Sequence, residues 1–404
     1  MKKLFTLALI SSAVAFSPFA FSSSTSDKID KDYQQHLGPL WDHFHQNPEL
    51  SLMEFKTAKR LATELRTVGF TVTENVGGTG IVALMKNGEG PTVMVRADMD
   101  GLPVVEASGL TNASTVITKD WNGKEVGVMH ACGHDVHITS LVGTARHMAS
   151  IKSQWSGTLM LIGQPAEEMG PGASAMMADN LWQRFGKPDY AFAFHVGSGI
   201  EAGKIVVDEG SPYAGADTVD IIVHGIGAHG AYPHRGKDPI VIGAQIVNNL
   251  QTIISRELAP RYPGVITVGS FHAGTKHNII SDRAHLQLTV RSLTPEVRVQ
   301  LLSAIKRIAI GTARTAGMPE DKLPEVNVSE FAYPPTFNDK ALAKRLKEVL
   351  TDKMGDLALI EPSATGMGAE DFGFFTTQPY IPSVYFGVGG TPAADFKREA
   401  EGGA

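Results

Sequence analysis

The chain of 404 residues contains one cysteine, Cys132, so no intrachain disulfide can form. A lone thiol is buried, reactive or bound to metal, and its neighbours decide which. A cationic excess is also missing. Lys and Arg total 36 against 42 Asp and Glu, a net charge of −6, which leaves no basic surface for nucleic acid. Beyond residue 21 no apolar run is long enough to span a bilayer. There is no internal repeat and no low-complexity tract. What is present is globular in kind: 43% hydrophobic and 19% charged residues, over a length that suits two domains. The 42 glycines suit an α/β protein with many tight turns.

The first residues read as a leader. Lys2 and Lys3 precede an apolar run, Leu4 to Phe21, interrupted by Ser11, Ser12 and Pro18 and followed by Ser22 to Ser24. This predicts a signal peptide over residues 1–22, a periplasmic or secreted address, and no membrane association after cleavage. The rival reading is a membrane anchor, which Pro18 and the terminal position disfavour.

Phe55, Ala58, Leu61, Ala62, Leu65 and Val68 recur at helical spacing, and Gly69 stops the run. Gly80–Met85 and Thr92–Ala97 read as strands joined by a turn at Asn87-Gly88. Ile138 to Ala149 is amphipathic and helical. Gly157–Gly163 and Tyr190–His195 read as buried strands. Strands alternating with helices predict a parallel or mixed sheet covered on both faces. The pattern changes near residue 212. Strand, helix (Pro239–Leu258), strand, strand, helix (Pro295–Ala316) and strand follow over 212–328, the order of a compact α+β insert. Phe331–Asn338, with Pro334-Pro335, reads as the linker back. A helix (Ala341–Met354), a glycine-rich loop (Gly366–Gly368) and a strand (Ser383–Val388) end the chain.

Polar clusters fall where strands finish. Asp98 and Asp100 close one strand, Glu167 and Glu168 another, His195 a third; Cys132 and His134 precede a helix. In an open α/β sheet the crevice lies beyond the carboxyl ends of the strands, so the fold would bring these residues together. Thiolate, imidazole and carboxylate are all ligands for zinc and its neighbours. Of two adjacent glutamates, one can bind metal while the other stays free as a general base. Each piece has a plain alternative: a solvated Glu-Glu pair, a small buried Cys, a core His, turn-forming Asp residues. Only their joint placement favours a site. His137, one helical turn after His134, reads as a surface or supporting residue. His43 and His45 also lie near motifs, whereas His272, His277 and His285 carry no clear signal.

The runs Arg96-Ala-Asp-Met-Asp-Gly-Leu-Pro103, Met129-His-Ala-Cys-Gly-His-Asp-Val-His137 and Gln164-Pro-Ala-Glu-Glu168 resemble the M20 metallopeptidase family. They are most similar to its amidohydrolase branch of hippurate, N-acyl-amino-acid and auxin-conjugate hydrolases. The similarity begins near Gln35, with His45-Gln-Asn-Pro-Glu-Leu-Ser51, and runs to the end of the chain. It implies a three-layer α/β/α zinc-exopeptidase-like catalytic domain, residues 30–211 and 329–404, with a ferredoxin-like lid and dimerisation domain inserted at 212–328. It implies two divalent metal ions (Zn, Mn, Co or Ni) held by Cys132, His134, Glu168 and His195, with Glu167 as general base. Asp98 and Asp100 would support the ligands from behind. In the lid, Gly227-Ala-His-Gly-Ala-Tyr-Pro-His234 implies that His229 polarises the substrate carbonyl, in its own or a neighbouring subunit's site. Asn278 and Arg291 match lid positions that contact substrate, and a guanidinium grips a carboxylate in a fork.

The implied substrate is an N-acyl amino acid or small peptide, and the implied assembly a homodimer or larger oligomer. Gly101 and Ser281 depart from the family's usual Ala and Pro. The resemblance also implies a fifth ligand, a histidine after the last strand. No histidine follows His285, which reads as a chain shortened at its C-terminus, with either the second metal weakly held or this form inactive. Three other readings stay open: a dipeptidase or aminopeptidase, a non-catalytic metal binder, and a hydrolase with Cys132 as nucleophile.

Overall fold

The computed structural model describes residues 24–355, 358–362 and 366–402, so the leader predicted over residues 1–22 lies outside them. Helices α1 (Thr25–Asp32) and α2 (Gly38–Gln46) lead into α3 (Phe55–Thr67). The apolar spacing acts as predicted: Ala58, Leu61, Ala62 and Leu65 are buried on one side of α3. Strands β1 (Thr71–Val76), β2 (Gly80–Asn87) and β3 (Thr92–Asp98) follow, then a small hairpin of β4 (Ile117–Lys119) and β5 (Glu125–Gly127). Next come α4 (His134–Ser150), β6 (Gly157–Gln164), α5 (Gly172–Ala178), α6 (Leu181–Phe185), β7 (Tyr190–Glu201) and β8 (Ile205–Val206).

The region from residue 212 contains β9 (Gly215–His224), β10 (Ala228–His229), α7 (Pro239–Thr252), β11 (Gly264–Ala273), β12 (Ile279–Ile280), β13 (Arg283–Ser292), α8 (Pro295–Thr315) and β14 (Glu325–Tyr333). The chain then forms α9 (Lys340–Met354), β15 (Leu359–Ile360), α10 (Gly373–Thr376), β16 (Ser383–Thr391) and α11 (Ala393–Gly402). Among the described residues no helix is long and apolar enough to cross a membrane.

Eight strands form one mixed sheet in the order β1-β2-β6-β3-β7-β16-β8-β15. Apolar side chains bury both faces. Leu40 and Phe44 of α2, the inner side of α3, and Ile138, Leu141 and Val142 of α4 cover one. Ala173 and Met176 of α5, Leu181 of α6 and Phe375 of α10 cover the other. The result is the three-layer α/β/α arrangement the sequence predicts.

The strand pairing corrects one expectation. The turn after Asn87 forms, but β2 and β3 are not a hairpin. β6 lies between them, antiparallel to β2 and parallel to β3. The turn makes room for it: Thr158 N donates to Pro91 O at 2.9 Å. Both β2 and β6 are almost wholly buried, so each needs a strand on either side rather than an exposed edge.

A separate antiparallel sheet, β11-β13-β9-β14, packs α7 and α8 on one face. Its core alternates in register along β13, where Ala284, Leu286, Leu288 and Val290 point inward. Two boundaries shift from the sequence reading. β14 extends to Tyr333, so Phe331 belongs to a strand and not to the linker. The helix expected to Leu258 is regular only to Thr252 and widens into a π-helical turn over Ile253–Glu257.

Candidate metal centre

The parallel strands β3, β6 and β7 run toward one edge of the large sheet, which brings Asp98, Gln164 and His195 to the same place, although β7 continues past His195 to Glu201 instead of closing there as the sequence reading expects. Cys132 and His134 arrive from the start of α4. The residue between them makes this possible. Gly133 sits at φ +74°, where an added Cβ would lie 2.3 Å from Cγ1 of Val196. Its left-handed backbone turns Cys132 and His134 inward together.

Gly133→Ala should therefore strain the backbone by roughly 1–2 kcal/mol and displace Val196, the residue after His195. We expect weaker metal binding with the helix content retained, read by chelator competition and circular dichroism. Unchanged affinity would contradict this account of the turn.

One donor atom each from Cys132, His134 and His195 lies within 4.8 Å of the others, and the same holds for His134, Glu167 and Glu168. His134 is the shared member and is fully buried. Its Nε2 is 3.7 Å from Asp98, 4.0 Å from Glu167 and 3.9 Å from Glu168. Its Nδ1 is 3.3 Å from Asp100 Oδ1, without the alignment of a hydrogen bond. Neither nitrogen of His134 nor Oε1 of Glu168 has a hydrogen-bond partner, although all three are buried. Orphaned polar atoms of this kind are costly unless something binds them, and a divalent cation fits this S, N and O donor set.

The neighbouring histidines have assigned roles. His195 Nδ1 donates to Val196 O at 2.6 Å, which leaves the Nε2 lone pair free. His137 differs. Its Nε2 accepts from Val196 N at 2.9 Å, so its Nδ1 carries the proton donated to Asp98 at 2.6 Å. Both nitrogens are occupied, and His137 has no lone pair left for a metal. It is buried, which removes the surface reading and leaves the supporting one. Burial holds its pKa down, to about 4, so it stays neutral.

Burial, followed by Glu370 and Asp371, pushes the Glu167 carboxyl up to about 10. Burial and then Glu168 push the Cys132 thiol well above its usual range. A bound cation reverses both effects, because it favours the anionic form of whatever it touches. Burial opposes ionisation of Asp98, but Arg96, His134 and His137 hold it well below the usual carboxylate range.

Several residues at the site gave no sequence signal as such. Arg96 is fully buried. It donates to Asp98 (2.6 Å), Glu370 (2.7 Å), Asp371 (3.1 Å) and Gln164 Oε1 (2.7 Å). Gln164 and Ala173 N also donate to Asp371, and Tyr385 OH donates to Glu370 at 2.6 Å. Glu370-Asp371 is a second acid pair, but it lies on a loop rather than at a strand end.

A cleft of about 290 Å³ is lined by Cys132, Glu167, Glu168 and His195 together with Tyr213, Tyr333 and Arg291. Arg291, from β13, thus lines the same cleft as the predicted ligands. His229 and Asn278 do not line this cleft. They sit together on the small β10–β12 pair, where Gly230 N donates to Asn278 O at 2.8 Å. His229 is exposed there, and its Nδ1 accepts from Ala231 N at 3.1 Å. A larger apolar groove, about 980 Å³, runs along the outer side of α4 and includes none of the predicted site residues.

The chain is similar to known proteins over most of its length. The chain is 37% identical over 363 residues to Thermostable carboxypeptidase 2 of Saccharolobus solfataricus, covering 89% of this chain and 87% of that one. It is 35% identical over 346 residues to Hippurate hydrolase of Campylobacter jejuni, with 85% and 86% covered. Among solved structures it resembles the Bacillus subtilis YXEP protein, a dinuclear metal binding peptidase from the M20 family. There the TM-score is 0.74 at 28% identity, over 89% of this chain and 90% of that one. The profile of the peptidase family M20/M25/M40 matches residues 94–400, and the chain belongs to that family of amide-bond hydrolases.

Proposed function

We propose that this protein hydrolyses the amide bond of N-acyl amino acids or small peptides. The observation that carries the reading is the meeting of Cys132, His134, His195, Glu167 and Glu168 around unpartnered donor atoms at the mouth of a cleft. Cys132, His134, Glu168 and His195 would hold two divalent ions, with Zn, Mn, Co and Ni all compatible with a mixed S, N and O set. Ions bound there supply a Lewis acid for the scissile carbonyl and lower the pKa of water from ~15.7 towards ~7.

The chain's own groups do the rest. Glu167, unshared with the ligand set, takes a proton from the attacking water and delivers it to the leaving amine nitrogen. His137 and Asp98 fix each other and support the His134 side of the site. Arg291 binds the substrate carboxylate as a fork. His229 polarises the carbonyl in a neighbouring subunit's site, with Asn278 beside it as a further contact, which the exposure of His229 and the absence of both from the lining of this chain's cleft favour. Assembly through the lid is the corresponding proposal. The edge strand β11 and the loop before it expose Phe271 and Tyr262. Export to the periplasm or beyond rests on the leader sequence alone.

Hippurate, N-acetyl amino acids and dipeptides form the test panel. Turnover of the acylated amino acids should vanish on chelation and return when Zn, Mn, Co or Ni is restored. Hydrolysis of dipeptides alone would move the reading to a dipeptidase, and metal binding with no turnover at all would reject the enzyme.

A further inference from the structure

Among the described residues, four that are not glycine have a left-handed backbone: Leu52, Asn75, Ala166 and Asn180. Asparagine tolerates this region because its side chain bonds locally. Leucine and alanine do not, and such a residue persists there only where its surroundings enforce it. Leu52 has φ +65° and Ala166 φ +50°. Both donate their backbone N–H to the same atom, Oε1 of Glu54, at 2.9 and 2.8 Å. Oε2 of Glu54 accepts from Thr79 Oγ1 at 2.6 Å. Glu54 is fully buried and precedes α3, yet its side chain does not cap that helix.

The two strained turns lead to the same place. Ala166 immediately precedes Glu167 and Glu168, whose amides donate to Asp100 at 3.2 and 3.1 Å. Ser51, beside Leu52, donates to Asp100 at 2.6 Å. One buried carboxylate therefore secures both segments that converge on Asp100, which lies 3.3 Å from His134 Nδ1.

We infer that Glu54 is a positioning residue: it holds Leu52 and Ala166 in left-handed turns and so sets the carboxylates of Glu167 and Glu168. The inference rests on the roles proposed above for those two residues. A removed clamp would let Ala166 relax out of the left-handed region and carry both glutamates with it. Supporting residues around metal sites change affinity or activity by about 10–100-fold when lost.

Three variants of the full chain decide the matter: Glu54→Ala, Glu54→Gln, and Glu54→Ala combined with Ala166→Gly. Zinc affinity is measured by chelator competition, together with kcat and KM on the N-acyl amino acid panel and thermal unfolding without metal. In Glu54→Ala, zinc affinity and kcat should each fall about 10–100-fold, with KM changed less than kcat. Glu54→Gln should keep most of both, because one amide oxygen can accept both N–H groups. Ala166→Gly should restore much of the loss in the Glu54→Ala background, since glycine takes φ +50° without strain. A merely structural role would leave that second substitution without benefit.

Wild-type affinity in Glu54→Ala overturns the inference, and so does a double variant no better than the single one. If Glu54→Ala does not fold, Glu54→Asp, one methylene too short to reach both amides, replaces it in the same comparisons. The affinity arm needs no substrate, so failure of the whole panel in the wild type would reject the hydrolase reading and leave this inference decided separately.

Discussion

Glu167→Gln is expected to lower kcat by about 10²–10⁴-fold while metal content and melting temperature stay near wild type. Glutamine keeps the size and hydrogen-bonding reach of the side chain but cannot accept and release a proton at neutral pH. Glu167 and Glu168 are adjacent in sequence and stand almost equally far from His134, at 4.0 and 3.9 Å. Distance alone does not separate their roles, but their surroundings do. Oε1 of Glu168 is buried without a partner, the condition of a ligand atom. Glu167 instead faces Glu370 and Asp371, whose negative charges favour its holding a proton once taken. Glu168→Gln should accordingly show the complementary pattern, with metal lost together with activity. Metal analysis and steady-state kinetics on the two variants separate the assignments. Full turnover in Glu167→Gln with metal still bound would remove Glu167 as the proton carrier.

Arg96→Met should be the most destabilising single change in the catalytic half. Arg96 donates to three buried carboxylates, Asp98, Glu370 and Asp371. Buried charge clusters of this kind add little to stability when complete, since desolvation offsets most of the attraction. Removing the one cation is different, because it leaves carboxylates buried without their counter-charge. The expected loss is about 3–5 kcal/mol, a large share of the ~5–15 kcal/mol that keeps a domain folded. Thermal and urea unfolding would show a melting temperature lower by roughly 5–15 °C, or protein that accumulates insoluble. Neutralising one acid in the same background, as Arg96→Met with Asp371→Asn, should recover part of the loss. A melting temperature unchanged in the single variant would mean that the three acids are neutralised some other way.

The five residues at the heart of the site are legible because each stands in or beside an element whose periodicity is strong. A polar residue after an apolar run is conspicuous, and the crevice rule then supplies the third dimension for Asp98, Glu167, Glu168 and His195. Cys132 and His134 carried a local signal of their own in the short Cys-Gly-His turn. What stayed hidden depends on partners distant in sequence. Arg96 reads as an ordinary strand residue until Glu370 and Asp371 are brought beside it. Glu54 reads as a residue in front of a helix until the Ala166 amide arrives. The false hairpin has the same origin. The turn after Asn87 is a local feature and was read correctly, whereas the insertion of β6 between its arms is decided by burial across the whole sheet. His229 and Asn278 carry a clear local pattern, but nothing local says which cleft they serve.

The position of β16 governs when this protein can finish folding. Ser383 pairs with Ala191, so the centre of the large sheet waits for a strand made after the whole β9–β14 unit. Long-range parallel pairing of this kind is slow, because the loop must close before any contact rewards it. The acids opposite Arg96 arrive just as late, on the segment before β16. A nascent chain carrying Cys132, His134, Glu168 and His195 therefore has the residues proposed as ligands, but its Arg96 lacks two of its acid partners and its sheet is open. Capture of metal by such an intermediate would be premature, and the segment that carries Glu370, Asp371 and β16 is the latch on an otherwise assembled reaction centre.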